Sequence, residues 1–203
     1  QELDLNEFKN LISSKTKLVS ITHISNSLGT INPIEKIINL SHENGAKVLI
    51  DGAQAAAHVN VDVQDLNVDY YCFSAHKLYG PTGVGVLYGK EDLLNHLPPY
   101  QGGGEMIQEV TFEKTTYACL PHKFEAGTPN IGGVIAFKKA IDFLAETKVE
   151  TMKEHEDHLL NYATESLNNI NGIRIIGTSK KKSAIISFTV ENIHHYDLGL
   201  ILD

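Results

Sequence analysis

Lys77 lies in the stretch Cys72-Phe73-Ser74-Ala75-His76-Lys77-Leu78-Tyr79-Gly80-Pro81-Thr82-Gly83-Val84-Gly85, where an apolar run meets a serine, a histidine and a lysine before a glycine-rich turn. A lysine amine attacks a carbonyl in its neutral form, which partial desolvation favours, and the product is a Schiff base. Ser74 and His76 add a hydroxyl and an imidazole at the strand end, where polar groups usually face a ligand. A lysine in a surface turn is ordinarily just solvated. The neighbours argue otherwise here, because an earlier apolar run closes on Asp51-Gly52-Ala53-Gln54 and offers a carboxylate and an amide. Strand ends with complementary groups point to a ligand site.

The elements that must position these groups follow from apolar spacing. Leu5, Phe8, Leu11 and Ile12 predict a helix, and Lys17 to Ile24 predicts a strand that ends in the polar loop Ser25-Asn26-Ser27-Leu28-Gly29-Thr30. Asn32-Pro33 reads as a cap followed by a first-turn proline. Ile34, Ile37, Ile38 and Ser41 mark one helical face, with Gly45 as its stop. Lys47 to Ile50 predicts a short buried strand, Asp62 to Leu66 a single helical turn, Val68 to Phe73 the lysine-bearing strand and Val84 to Tyr88 its successor. The recurrence of strand, helix and strand predicts a parallel α/β sheet. In such sheets ligands bind beyond the carboxyl ends of the strands, where Asn26, Asp51 and Ser74 to Lys77 would meet.

Past Tyr88, Glu91 to Leu97 predicts a short helix ended by Pro98-Pro99, and Gly102-Gly103-Gly104 a flexible crossing. Ile107 to Phe112 and Thr116 to Leu120 predict a hairpin that includes Cys119. Phe124-Glu125-Ala126-Gly127-Thr128-Pro129-Asn130 is a further polar turn. Helices are predicted over Ile131 to Glu146 and Glu150 to Asn169, with Gly172 as a stop, then strands over Ile173 to Ile176 and Ala184 to Val190. Lys180-Lys181-Lys182 between those strands reads as a solvated turn, His155 and His158 as a polar helix face without a third metal ligand, and His194-His195-Tyr196-Asp197 as a helix start. Cys72, inside an apolar strand, reads as a small buried core residue.

Composition excludes several classes. The chain has 203 residues and a formal net charge of −8, with no long basic stripe, which argues against nucleic acid as partner. No apolar run approaches the roughly 20 residues that span a bilayer, and the start lacks a signal-peptide pattern, so the expected location is the cytoplasm without membrane attachment. Cys72 and Cys119 make neither a disulfide framework nor a paired metal-thiolate motif. Beginning at Gln1 and closing at Asp203 within an amphipathic run, the chain reads as a piece of a longer protein.

Asp51 to Gln54, Ser74 to Gly83 and Phe124 to Asn130 together resemble the pyridoxal-phosphate motifs of SUF-type cysteine desulfurases, within the class V aminotransferase family. Thr22-His23-Ile24-Ser25-Asn26-Ser27-Leu28-Gly29-Thr30 matches as well, and the similarity continues to His194-His195-Tyr196-Asp197. The resemblance implies the fold type I of pyridoxal-phosphate-dependent transferases, a mostly parallel sheet flanked by helices. Residues 1–147 would form part of the large domain, and residues 148–203 a connecting helix and the start of a small α+β domain.

It further implies that Lys77 forms the Schiff base with pyridoxal 5'-phosphate, that Asp51 keeps the pyridinium nitrogen protonated, and that Gln54 and Asn26 bond the phenolic-oxygen side or the substrate. Ser74 and His76 would donate to the cofactor phosphate, and Thr128 would reach the phosphate of the neighbouring subunit's cofactor in a homodimer. The implied reaction takes sulfur from L-cysteine, leaving L-alanine and a persulfide on an enzyme cysteine, for delivery to a sulfur-acceptor protein and iron-sulfur cluster assembly. Selenocysteine would be a second substrate. The family's cysteine loop and substrate-carboxylate arginine would lie beyond Asp203, and its phosphate loop and ring-stacking histidine before Gln1. The piece alone is therefore expected to be inactive and to bind cofactor weakly. The motifs also leave open another class V enzyme, a kynureninase-like hydrolase or an aminotransferase, and a non-catalytic binding module.

Overall fold

Continuous and alternating apolar runs form the strands they predict. The computed structural model describes residues 1–203. Its 4-stranded sheet has the order β1 (Leu18–Thr22), β2 (Lys47–Asp51), β3 (Tyr70–Ser74), β4 (Gly85–Gly89). The first three strands are parallel, with Thr22 opposite Asp51 and Asp51 opposite Cys72, so the carboxyl ends of all three share one edge of the sheet. β4 returns antiparallel, pairing Ser74 with Gly85. Helix α1 (Leu5–Leu11) precedes the sheet and α2 (Ile34–Glu43) crosses from β1 to β2.

The face predicted for α2 is the face it buries: Ile34, Ile37, Ile38 and Ser41. Ile34 and Ile38 join Val48, Ile50, Val68 and Tyr71 in one core cluster, where burial of each large apolar side chain stabilises by roughly 1.5–3 kcal/mol. The helix start differs from expectation. Pro33 itself occupies the capping position without a side-chain bond, and the Asn32 amide instead donates back to the Thr22 carbonyl at 2.8 Å. A residue before proline is held extended, so Asn32 stays in the connecting loop rather than turning into the helix.

Beyond β4 come α3 (Glu91–His96), the antiparallel pair β5 (Ile107–Val110) and β6 (Thr115–Tyr117), α4 (Ile131–Thr147) and α5 (Val149–Asn168). The antiparallel pair β7 (Ile173–Ile176) and β8 (Ser187–Val190) and helix α6 (His195–Leu202) follow. His194 accepts a bond from Tyr196 N–H at the head of α6, the helix-start role expected of it. No helix is long and apolar enough to cross a membrane. The hairpin is shorter than its apolar pattern: pairing stops at Tyr117, and Cys119 lies exposed past the ladder instead of within it.

The lysine triplet is also more than a solvated turn. Lys182 is half-buried and its ammonium donates to the Gly177 carbonyl, while burial pushes its pKa down. The same segment bonds the loop after β1: Ile31 N–H to Lys181 O and Ser183 N–H to Gly29 O, at 3.0 and 2.9 Å. Those long-range backbone bonds join segments that no local pattern connects.

Asp69, just before β3, is the charged residue buried in this fold. Its carboxylate accepts from His42 Nε2 at 2.7 Å and from Val48 N–H at 2.8 Å, with Lys90 Nζ at 3.4 Å. Burial alone would raise its pKa; the His42 and Val48 hydrogen bonds and the His42 and Lys90 charges outweigh that and leave it below the usual carboxylate value. A carboxyl depressed in the folded state contributes stability above its unfolded pKa, lost as pH falls through the folded one. Asp69→Asn is therefore expected to lower unfolding free energy by roughly 3 kcal/mol at neutral pH and to flatten the decline of stability in acid. Urea unfolding across the acid range checks both, and an unaltered neutral midpoint would refute the role.

Candidate active site

The turn that carries Lys77 is built from buried small residues. After Ser74 the chain makes a short 3-10 turn, Ala75–Lys77. Ala75 N–H donates to Val84 O, and the Ala75 carbonyl accepts from both Leu78 N–H and Gly80 N–H, at 2.8 and 2.9 Å. Ala75 and Leu78 are buried against Phe137, Ala140 and Leu144 of α4. A Cβ on Gly80 would stand 2.7 Å from the Phe137 ring and 2.9 Å from the Ala75 carbonyl, so only glycine lets the chain pass there. Lys77 is thus held by its backbone alone: its amine makes no hydrogen bond or ion pair within the chain, and none joins it to Asp51.

Asp51 closes β2 one strand away. Its carbonyl accepts from His23 N–H and the next amide, Gly52 N–H, donates to Cys72 O, both at 2.8 Å. Its side chain is half-buried, and Oδ1 accepts from Ala53 N–H at 2.9 Å, leaving the second oxygen free. Gln54 follows in the same turn, half-buried and without a side-chain partner. Ser74 and His76 likewise leave hydroxyl and imidazole unbonded beside Lys77.

Asn26 is exposed in the loop after β1, a loop that closes through Ser25 N–H to Thr30 O and is tied to Lys181 and Ser183. The structure therefore brings Asn26, Asp51, Ser74, His76 and Lys77 to the carboxyl edge of β1, β2 and β3, where a parallel sheet puts them, and Gln54 follows Asp51 in the same turn. Thr128 sits apart in sequence and element, exposed in the turn before α4. That turn is firm: Gly127 N–H donates to Gly104 O at 2.9 Å, and Asn130 caps α4 by accepting from Gly133 N–H at 3.0 Å. Gly127 and Pro129 border a cleft of about 590 Å³ that reaches Gly83 to Gly85, directly opposite Ser74 on the paired strand. A larger cleft, about 690 Å³ between α5 and residues 177–182, carries none of these groups, so size does not mark the site and chemistry does.

No local pattern marks His23 and Tyr71, which adjoin the end of β2 through the Asp51 carbonyl and Gly52. His23 Nδ1 meets the Tyr71 hydroxyl at 3.0 Å in a buried contact, and burial lowers the His23 pKa to about 4.

The donor set fits pyridoxal 5'-phosphate. One carboxylate with a free oxygen suits a pyridinium nitrogen, a serine hydroxyl and an imidazole suit a phosphate, an unpaired amine suits an aldehyde, and amides suit a phenolic oxygen.

Comparison with known proteins agrees. The pattern of the family Aminotransferase class-V matches residues 1–203. The cysteine desulfurase of Enterobacter sp. (strain 638) is 47% identical over 202 residues, covering 99% of this chain and 50% of that protein. The chain thus spans about half the length of such curated relatives, and less of some. Among solved structures, the Escherichia coli cysteine desulfurase CsdA in its S-sulfonic acid form superposes with a TM-score of 0.93 at 37% identity, over 98% of this chain and 49% of that one. A C-DES variant with glycine covalently linked to its PLP cofactor superposes with a TM-score of 0.88 at 26% identity, over 100% of this chain and 55% of that one.

Neither cysteine of this chain is placed at the group of free donors as a mobile thiol. Cys72 is half-buried on β3, and burial, then the Asp51 charge, pushes its thiol pKa up. Cys119 is exposed, and its position past the end of β6 corrects the expectation that it lies on a strand. Iodoacetamide is expected to alkylate Cys119 first and Cys72 at least about tenfold more slowly, because thiolate fraction and access set the rate. Peptide mass mapping over time measures it; equal rates would contradict the placement of Cys72.

Proposed function

Since this chain belongs to the class-V aminotransferase family, we propose that it forms the lysine-bearing part of a pyridoxal-phosphate-dependent cysteine desulfurase, which converts L-cysteine to L-alanine and passes the sulfur to an enzyme cysteine. One observation carries the reading: Asp51, Ser74, His76 and Lys77 stand at adjoining strand ends, backbone-fixed, with side-chain groups left free for a ligand. His58, by contrast, is paired with Glu156, and His42 with Asp69. The names borne by the relatives support L-cysteine as substrate.

Pyridoxal 5'-phosphate, when bound, supplies an aldehyde that takes up amines and a ring that withdraws electrons from the substrate carbon. Lys77 offers its amine to that aldehyde and is the base nearest in sequence to the phosphate donors Ser74 and His76. Asp51 holds a proton at the ring nitrogen with the oxygen that Ala53 leaves free. Gln54 and Asn26 orient the phenolic-oxygen side or the substrate. Thr128 serves the neighbouring subunit's cofactor, which makes a homodimer part of the site. In this reading the sulfur goes to a cytoplasmic acceptor protein for iron-sulfur cluster assembly, with selenocysteine as a second substrate.

In the full-length protein loaded with pyridoxal phosphate, borohydride reduction is expected to leave the cofactor mass on the peptide containing Lys77. Mass on a different lysine, or on none, would overturn the assignment. Asp51→Asn should still be trapped at Lys77 yet lose most turnover, because a neutral amide does not hold the ring nitrogen protonated.

The shared site predicts complementation. In mixed dimers of Lys77→Ala and Thr128→Ala subunits, one site carries both lesions and the other neither, so activity returns above that of either parent variant. If Thr128 serves its own subunit, each site keeps one lesion and mixing restores nothing.

A further inference from the structure

Tyr71 is the largest fully buried side chain of the sheet core, surrounded by Ile34, Ile38, Val48, Ile50 and Val68. Its hydroxyl meets His23 Nδ1 at 3.0 Å, the rings standing edge to face at 89°. A buried phenol and a buried imidazole cost free energy unless they bond each other, whereas apolar residues would avoid that cost. Packing alone does not call for this pair.

The contacts around the pair close on Asp51. His23 N–H donates to the Asp51 carbonyl at 2.8 Å, so the histidine grips the strand end through its backbone and Tyr71 through its ring. Tyr71 in turn lies against Gly52: a Cβ there would come within 2.0 to 2.2 Å of the ring carbons Cε1 and Cζ and the hydroxyl. The chain leaving β2 therefore rests on the tyrosine ring edge, and the height of that ring sets where residues 51–53 run. Ala53 N–H then fixes Asp51 Oδ1 at 2.9 Å. A shift of the Tyr71 hydroxyl would move Gly52, and Asp51 with it.

The pair is also electrically silent. Burial lowers the His23 pKa to about 4, and burial, then the charges of Asp51 and Cys72, raise that of Tyr71. At neutral pH neither ring competes for the proton that the carboxylate is there to hold.

We propose that His23 and Tyr71 are positioning residues, a clamp that aims the Asp51 carboxylate at the ring nitrogen of the cofactor. The inference rests on the pyridoxal-phosphate reading above. It is tested in the full-length protein loaded with pyridoxal phosphate labelled with 15N in the ring, whose resonance separates the protonated from the unprotonated nitrogen. Tyr71→Phe, which keeps ring and packing, and His23→Leu are each expected to move the resonance toward the unprotonated position. Each should also lower kcat roughly tenfold with KM for L-cysteine within about twofold, the pattern of misplacement without lost binding. The double variant should be no worse than either single one, since both remove one shared contact. His23→Asn, whose amide stands near the Nδ1 position, should keep the wild-type resonance. A wild-type resonance in Tyr71→Phe, even with a lowered melting temperature, would show that the pair serves stability only and overturn the clamp. Failure of the wild-type protein to take up the labelled cofactor would overturn the functional reading itself, a result distinct from the first.

Discussion

The backbone bond from His23 N–H to the Asp51 carbonyl is the contact on which the site depends, because it carries the parallel register of β1 and β2 one residue past the strand. A slip of one residue would turn every β2 side chain to the other face. Asp51 would then point into the opposite layer, while Val48 and Ile50 would leave the core that holds α2. Stability and the placement of the candidate site therefore rest on the same register.

A second constraint acts through the Ala75 carbonyl. It accepts from Leu78 and Gly80, while Ala75 and Leu78 sink into α4 beside Phe137. The Phe73 ring also tilts against Phe137, at 6.5 Å between centroids. The lysine turn is thereby coupled to a helix that begins at the Asn130 cap, two residues after Thr128. One packed helix supports both the amine and the approach to the threonine turn. Rigid backbone under free side chains is what a preorganised site requires.

Buried polar groups divide by their partners. Asp69 spends its carboxylate on His42, Val48 and Lys90 at the amino end of β3, where it ties the sheet to its neighbours. Asp51, at the carboxyl ends, spends one oxygen on a local turn and keeps the other. The two residues carry the same side chain, and location and bonding alone leave one carboxylate fully engaged and the other with an oxygen to spare.

Much of the architecture was legible before folding. The face Ile34, Ile37, Ile38, Ser41, the strand ending at Asp51, the lysine turn and the helix start at His194 all depend on spacing and turn chemistry, which act between near neighbours. The motifs around Asp51, Lys77 and Thr128 also carried the family, since their residue types and order are properties of the chain. Other features arise only when distant segments meet. Lys182 is half-buried because residues 181–183 bond the loop after β1, and Cys119 left the hairpin because pairing ends where the partner strand ends. The His23–Tyr71 contact joins residues 48 apart in sequence, and Gly52 needs to be glycine only because a tyrosine ring comes to lie against it. Sequence by itself determined which groups stand at each strand end, because alternation and breaker residues are local. Tertiary structure alone decided which of those groups are paired and which are left free, because burial and hydrogen-bond partners are set by packing between segments that no local pattern relates.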